Sequence, residues 1–183
     1  MIVIVLMSIH LGLGFSSSFS EFSNITYGFI PCFILGIDGK EKVSYFIDFE
    51  FFGDRGEYTY SHLGEVRKLR MSFYGFLLKA GTDFSEDLPV FKNLGMGLML
   101  GWIKEKRQKD FNSSEYIEGS GSAPGIFLYF KTDKKEILKK IKINLKAEMS
   151  FVSFRTIKTY YDYLSISGIS LNGIKMNLIF YYE

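Results

Sequence analysis

Apolar and polar side chains alternate along this chain in runs of about ten residues, and the run at the carboxyl end is the clearest. In residues 173–183, Ile174, Met176, Leu178, Phe180 and Tyr182 alternate with Lys175, Asn177, Ile179 and Tyr181. Successive side chains of a strand project to opposite faces, so the segment predicts a strand with one apolar face and one mixed face. Scoring alternate positions against helical spacing gives seven further segments of the same kind. Residues 8–19 place Ile9, Leu11, Leu13 and Phe15 opposite Ser8, His10, Gly12, Gly14 and Ser16. Residues 25–37 place Ile25, Tyr27, Phe29, Phe33, Leu35 and Ile37 opposite Thr26, Gly28, Cys32 and Gly36, with Pro31 predicting a bulge because it cannot donate to a ladder. Residues 43–53 set Val43, Tyr45, Ile47, Phe49 and Phe51 against Ser44, Asp48 and Glu50.

The remaining segments follow the same rule. Residues 68–79 set Leu69, Met71, Phe73 and Leu77 against Arg70, Ser72 and Tyr74, and residues 94–104 set Leu94, Met96, Leu98, Leu100 and Trp102 against Gly95, Gly97 and Gly101. The glycine face predicts a crowded lumen. Residues 125–131 set Ile126, Leu128 and Phe130 against Phe127 and Tyr129; residues 141–154 set Ile141, Ile143, Leu145, Ala147, Met149 and Phe151 against Lys142, Asn144, Lys146, Glu148 and Ser150. Residues 166–182 form the eighth strand, and a bulge at Gly173 keeps Leu171 and Ile174 on one face.

Eight strands, each with an apolar face, predict an all-β fold: an eight-stranded antiparallel up-and-down transmembrane β-barrel that faces lipid outside and is polar within. The connections DGKEK, AGTDFSEDLPVFKN and TDKKEILK fall on one side of it. On the other side lie a short loop around SEFSN and the long DRGEYTYSHLGEVRK and EKRQKDFNSSEYIEGSGSAP. Shorter periplasmic turns and longer external loops are the usual asymmetry, and two connections depart from it, the short first external loop and the long second periplasmic turn. Residues 1–183 are expected to form this single domain. Residues 1–6, or alternatively 1–20, also read as a signal-peptide remnant ending at Ser18-Phe19-Ser20, but no Lys or Arg precedes the apolar run, and losing residues 1–20 would leave seven strands where an even number is needed.

Composition narrows the partners. The 183 residues are 47% hydrophobic and 17% aromatic, yet mean hydropathy is only +0.09, because apolar residues are interleaved. No window approaches the ~18 consecutive apolar residues of a spanning helix. The net charge is only +2 and most basic residues are scattered or sit on alternating strands, so nucleic acid is not an expected partner. The single Cys32 excludes an internal disulfide and a Cys/His metal cluster.

The strand number, the alternating connections and the aromatic terminal strand ending at Tyr182 make the chain resemble the small eight-stranded outer-membrane barrels of bacteria, of the OmpX and OmpA membrane-domain type. The resemblance implies localisation in the bacterial outer membrane and recognition of the last strand by the barrel-assembly machinery. It also implies functions that range from adhesion and structural support to lipid modification.

Candidate chemistry is sparse. The outward assignments send His10, Asp48, Glu50, Arg70, Lys142, Lys146, Glu148 and Lys175 into the lumen, where an eight-stranded interior is just filled by side chains. Buried charges must be paired, and Asp48 or Glu50 with Arg70 is the expected pair. No catalytic, cofactor-binding or metal-ligating residues are assigned, and a non-enzymatic surface or structural protein is the expected function. Two alternatives stand beside it. Ser61, His62 and Glu65 are the nearest approach to a base-activated nucleophile and would suit a lipid-modifying barrel enzyme. A soluble lipocalin-like ligand-binding barrel shares strand count and alternation but turns its apolar faces inward. Tyr58, Tyr60, Tyr116, Tyr160, Tyr161 and Tyr163 read as an interfacial aromatic girdle. Lys104, Lys106, Arg107 and Lys109 read as a basic cluster facing lipopolysaccharide or a host surface.

Overall fold

The computed structural model describes residues 6–18, 29–40, 44–62, 65–84, 93–108, 114–155 and 168–182. They form eleven strands: β1 Leu6–Ser18, β2 Phe29–Lys40, β3 Ser44–His62, β4 Glu65–Asp83, β5 Leu94–Gln108, β6 Tyr116–Lys131, β7 Lys135–Leu138, β8 Ile141–Phe151, β9 Ser153–Arg155, β10 Gly168–Ser170 and β11 Gly173–Tyr182. Strands β1 to β6, β8 and β11 pair antiparallel with their neighbours in that order, and β11 pairs with both β8 and β1. The sheet therefore closes into an eight-stranded ring with no free edge along the paired stretch. Its seventh and eighth strands continue as the short β9–β10 pair, and β7 folds back on the start of β8.

Period-two patterning decides the faces. Each of the eight ring strands carries three or four exposed large apolar or aromatic side chains, such as Ile9, Leu11, Leu13 and Phe15 on β1, or Met96, Leu98 and Leu100 on β5. Charged residues between them are buried: Asp48, Glu50, Lys79, Glu148 and Lys175 are each at most 1% exposed. The apolar side chains thus face outward and the charged ones inward. The glycine face of β5 packs as expected, because a Cβ at Gly101 would lie 2.5 Å from the Phe154 ring and 2.6 Å from Leu77.

Four sequence expectations are corrected. The long loops around YTYSHLGE and at EKRQKD and YIEGSGSAP are largely strand: the β3–β4 register runs unbroken from Tyr45↔Thr82 to His62↔Glu65, and β5 pairs with β6 from Leu94↔Phe130 to Gln108↔Tyr116. Their charged and glycine-rich stretches look like loop composition, but once a hairpin register is set the backbone ladder continues through them. The face of β4 is inverted. Met71, Phe73 and Leu77 point inward, at 5%, 3% and 0% exposure, while Ser72, Tyr74, Phe76 and Leu78 point outward and Arg70 is exposed. Both faces of this strand are apolar, so the pattern alone is a tie; Lys79, on the Leu77 face, decides it by needing buried carboxylates.

The other two corrections concern irregularities. Pro31 makes no bulge. The β1–β2 register passes through Phe15↔Pro31 without a shift, and it is the β2–β3 ladder that stops one residue short, at Cys32↔Phe52. The irregularity in the last strand lies at Leu171–Asn172 and not at Gly173, and Leu171 is buried whereas Ile174 is 41% exposed. There the Leu171 amide donates to the Val152 carbonyl (2.9 Å) and the Val152 amide to Asn172 Oδ1 (2.7 Å), so the two strands break together.

Candidate functional site

Alternation on β3 puts Asp48 and Glu50 on the inner face two residues apart, and the same rule puts Lys146 and Glu148 inward on β8, Lys175 on β11 and Lys79 on β4. Closure of the ring brings these four strands together across the lumen. Lys79 Nζ donates to Glu50 Oε2 (2.9 Å) and Glu148 Oε2 (2.5 Å), and Lys175 Nζ donates to Glu50 Oε1 (2.5 Å). Lys146 Nζ reaches Asp48 Oδ2 (3.2 Å) and sits 3.9 Å from the centre of the Phe46 ring and 4.9 Å from that of Tyr129. Three carboxylates thus face three ammonium groups in one charge layer. Each ion offsets the desolvation of its neighbours, which would otherwise cost several kcal/mol per ion.

A glycine links this layer to the next. His10, Gly36 and Asp48 are successive cross-strand neighbours. With no side chain at Gly36, His10 Nε2 reaches Asp48 Oδ1 over it at 2.7 Å. The other ring nitrogen, Nδ1, lies 3.0 Å from Asp38 Oδ1. Each ring nitrogen of His10 thus faces a carboxylate oxygen, and an ionised carboxylate accepts from either of them. Asp38 also accepts from Ser8 Oγ (2.9 Å) and Lys134 Nζ (3.0 Å).

These groups line a cavity of about 630 Å³ at the end of the ring that holds the turns between β2 and β3, β4 and β5, and β6 and β8. Its walls include Tyr45, Phe46, Tyr129 and Tyr181, and Asp83 there accepts from Tyr129 Oη (2.6 Å) and Lys131 Nζ (2.5 Å). Beyond the charge layer, towards the β3–β4 hairpin, the lumen is filled mainly by Phe52, Met71, Phe73, Leu77, Ile103 and Phe154, and the buried Glu105 and Arg107 follow Ile103 on the inner face of β5, opposite Phe73 and Met71. The interior is therefore zoned in series: a polar vestibule, a charge layer and a largely apolar plug that ends at the buried Glu105–Arg107 pair. The polar interior expected from the pattern holds for the vestibule and the charge layer, and the plug is the part that departs from it.

Of the expected luminal residues, the ring brings together His10, Asp48, Glu50, Lys146, Glu148 and Lys175, and Lys142 is half-buried at the rim of the same face of β8. Arg70 is outside, and Lys79 stands where Arg70 was expected. Sequence reading also missed Asp38, Asp83 and Lys134. The available signal for Lys79 was its place two residues beyond Leu77 on a strand with no polar face.

The basic cluster is divided. Lys104 and Lys106 are exposed and share Glu118, at 3.2 and 3.3 Å, whereas Arg107 is buried beside Glu105. Pairing with Lys104 and then Lys106 lowers the Glu118 carboxyl below its ordinary range, and Glu118 raises the Lys104 ammonium. Tyr116 is 42% exposed with Lys106 over its ring. The side chains of Tyr58, Tyr60, Ser61, His62 and Glu65, and Lys109, Tyr160, Tyr161 and Tyr163, lie outside the described residues.

Cys32 is buried and donates its thiol to Asn177 Oδ1 at 3.5 Å, a packing contact. Among the described residues, no group of three or more His, Cys, Asp or Glu side chains is placed to hold a metal ion. No protein-family model matches the chain, and no curated protein matches it.

Proposed function

We propose that this chain is an integral outer-membrane β-barrel protein of a bacterium, a non-enzymatic surface or structural protein whose lumen is filled by its own side chains. The observation that carries this reading is the inverted distribution of polarity: a continuous apolar exterior around all eight ring strands enclosing a buried ionic layer. A soluble monomer rarely exposes an apolar patch beyond a few hundred Å², and here the patch is a belt. On β11 the outward apolar positions run from Ile174 to Tyr182. Those eight steps span about 27 Å along the strand at ~3.4 Å per residue, or about 20 Å along the barrel axis at a ~40° tilt, close to the ~25 Å apolar band of such barrels.

The zoned lumen supports a structural role over transport. The charge layer and the apolar plug occupy the cross-section in series, and each carboxylate in the layer is engaged by a lysine. The natural lipid surroundings are then the first partner, and the β11 strand with its terminal aromatics is the segment the barrel-assembly machinery would engage. The testing experiment is gel mobility of detergent-folded protein with and without boiling, with far-ultraviolet circular dichroism on the same sample. A heat-dependent shift with strong β signal and precipitation without detergent is expected. A chain that stays soluble and monomeric without detergent would sink the proposal.

A further inference from the structure

Neither the luminal layers nor the apolar belt accounts for the composition of the turn-end hairpin of β7 and β8. Residues 133–140 are all exposed, and among them Ile137 and Leu138 are 53% and 63% exposed. Lys139 and Lys140 make the turn, with Lys140 at φ 82°, in the left-handed region. Lysine is a poor choice there on conformational grounds alone, since glycine or asparagine adopts it at lower cost. Lys131, just before this stretch, is committed inward to Asp83, and Lys134 within it to Asp38. Lys135, Lys139 and Lys140 have no ion-pair partner among the described residues.

The hairpin's outer face is fixed by register. Lys135 is the cross-strand partner of Ile143 and Leu138 that of Ile141, with a bulge between Glu136 and Leu138. Cross-strand partners share a face, and Ile141 and Ile143 alternate with the inward Asn144 and the rim Lys142. Leu138 therefore begins a row of neighbours, Leu138, Ile141, Tyr182, Ile9, Ile37 and Ile47, that leads directly into the apolar belt. The tip is thus apolar on the side continuous with the belt and cationic at its end.

We propose that this hairpin is a lipid-headgroup anchor: Leu138 enters the margin of the bilayer while Lys139 and Lys140 at the tip, and Lys135 by extending its stem back from the row of Ile143, bind the anionic phospholipid headgroups of the leaflet at the turn end. The assignment rests on the membrane-barrel reading above. Long lysine stems lie along apolar surface while their ammonium groups rise to the headgroups, and clustered juxtamembrane lysines favour anionic lipid additively. The same three charges facing water or a luminal carboxylate would leave Leu138 exposed without compensation.

Bromine in lipid acyl chains quenches nearby tryptophan, and the single Trp102 lies on the outer face of β5, near the opposite end of the belt. The wild type is reconstituted in vesicles containing either brominated phosphatidylglycerol or brominated phosphatidylcholine at equal mole fraction. A Leu138→Trp reporter in a Trp102→Phe background is treated identically, with and without Lys135→Gln, Lys139→Gln and Lys140→Gln. Ile137→Trp serves where the first reporter does not fold. The expected result is quenching of the hairpin reporter about twofold or more stronger with the anionic lipid, and equal quenching by both lipids once the three lysines are replaced. Equal quenching before replacement overturns the anchor, including a hairpin that seats on a soluble acidic partner. Absence of quenching of wild-type Trp102 by either lipid overturns the membrane reading instead, so the two failures are distinguishable.

Discussion

Glu50 is the side chain on which the charge layer turns, because each of its oxygens accepts from a different lysine, Lys79 at 2.9 Å and Lys175 at 2.5 Å. Lys79 has a second carboxylate in Glu148, but Lys175 has Glu50 alone among the described residues. Glu50→Gln is therefore expected to strand a buried ammonium and lower stability by about 3–5 kcal/mol, read from urea unfolding in detergent or lipid. Adding Lys175→Met should recover much of that loss, since it removes the uncompensated charge. If the double variant is no more stable than Glu50→Gln, the pairing is not what holds the layer. Arg70→Gln serves as the contrast: on the exposed outer face it should change stability by no more than about 0.5 kcal/mol. At Gly36 a Cβ would collide with Asp48 Oδ1 and His10 Nε2. Gly36→Ala should cost about 1–3 kcal/mol in the same assay, the usual range for overpacking, and a neutral result would deny that His10 reaches Asp48 over this position.

At the scale of elements, how much was legible depended on whether a strand has one apolar face or two. On β1, β3, β8 and β11 the alternation assigned inside and outside as the ring has them, because each pairs an apolar face with one that carries polar or charged groups. On β4 both faces are apolar, so period two could not choose, and the partner of Glu50 was misassigned with it. The zipped β3–β4 and β5–β6 hairpins were hidden for another reason: backbone ladders tolerate glycine, serine and charge once register is set, while composition reads those residues as loop. In the second hairpin, Glu118 couples β6 to Lys104 and Lys106 of β5. Its carboxyl is lowered in the folded state, so this contribution is present above its unfolded value and is lost as pH falls through the lowered one. Amide protection across residues 104–108 and 116–118 should thus exceed that of Glu118→Gln at neutral pH, with the difference closing in acid and in high salt. A difference that persists in acid would mean the pair contributes nothing there.

For the whole molecule, the order of the zones matters more than any one of them. The sequence indicated a polar lumen because only the faces carrying charge stood out; the apolar plug was invisible, since Phe52, Ile103 and Phe154 look the same whether they meet lipid or one another. Long-range register alone sorts them: Lys175 and Glu50 are 125 residues apart in sequence. Two barriers of unlike chemistry in series resist ions differently, the charge layer by fixed pairing and the plug by excluding water. The wild-type chain in planar bilayers is accordingly expected to show no stepwise conductance. Replacing Glu50, Lys79, Glu148 and Lys175 together by alanine should still leave it closed, because Phe52, Phe73, Leu77 and Phe154 remain behind the emptied layer. Conductance that appears in this variant would place the whole barrier in the ions, and conductance in the wild type would mean the lumen is a pore.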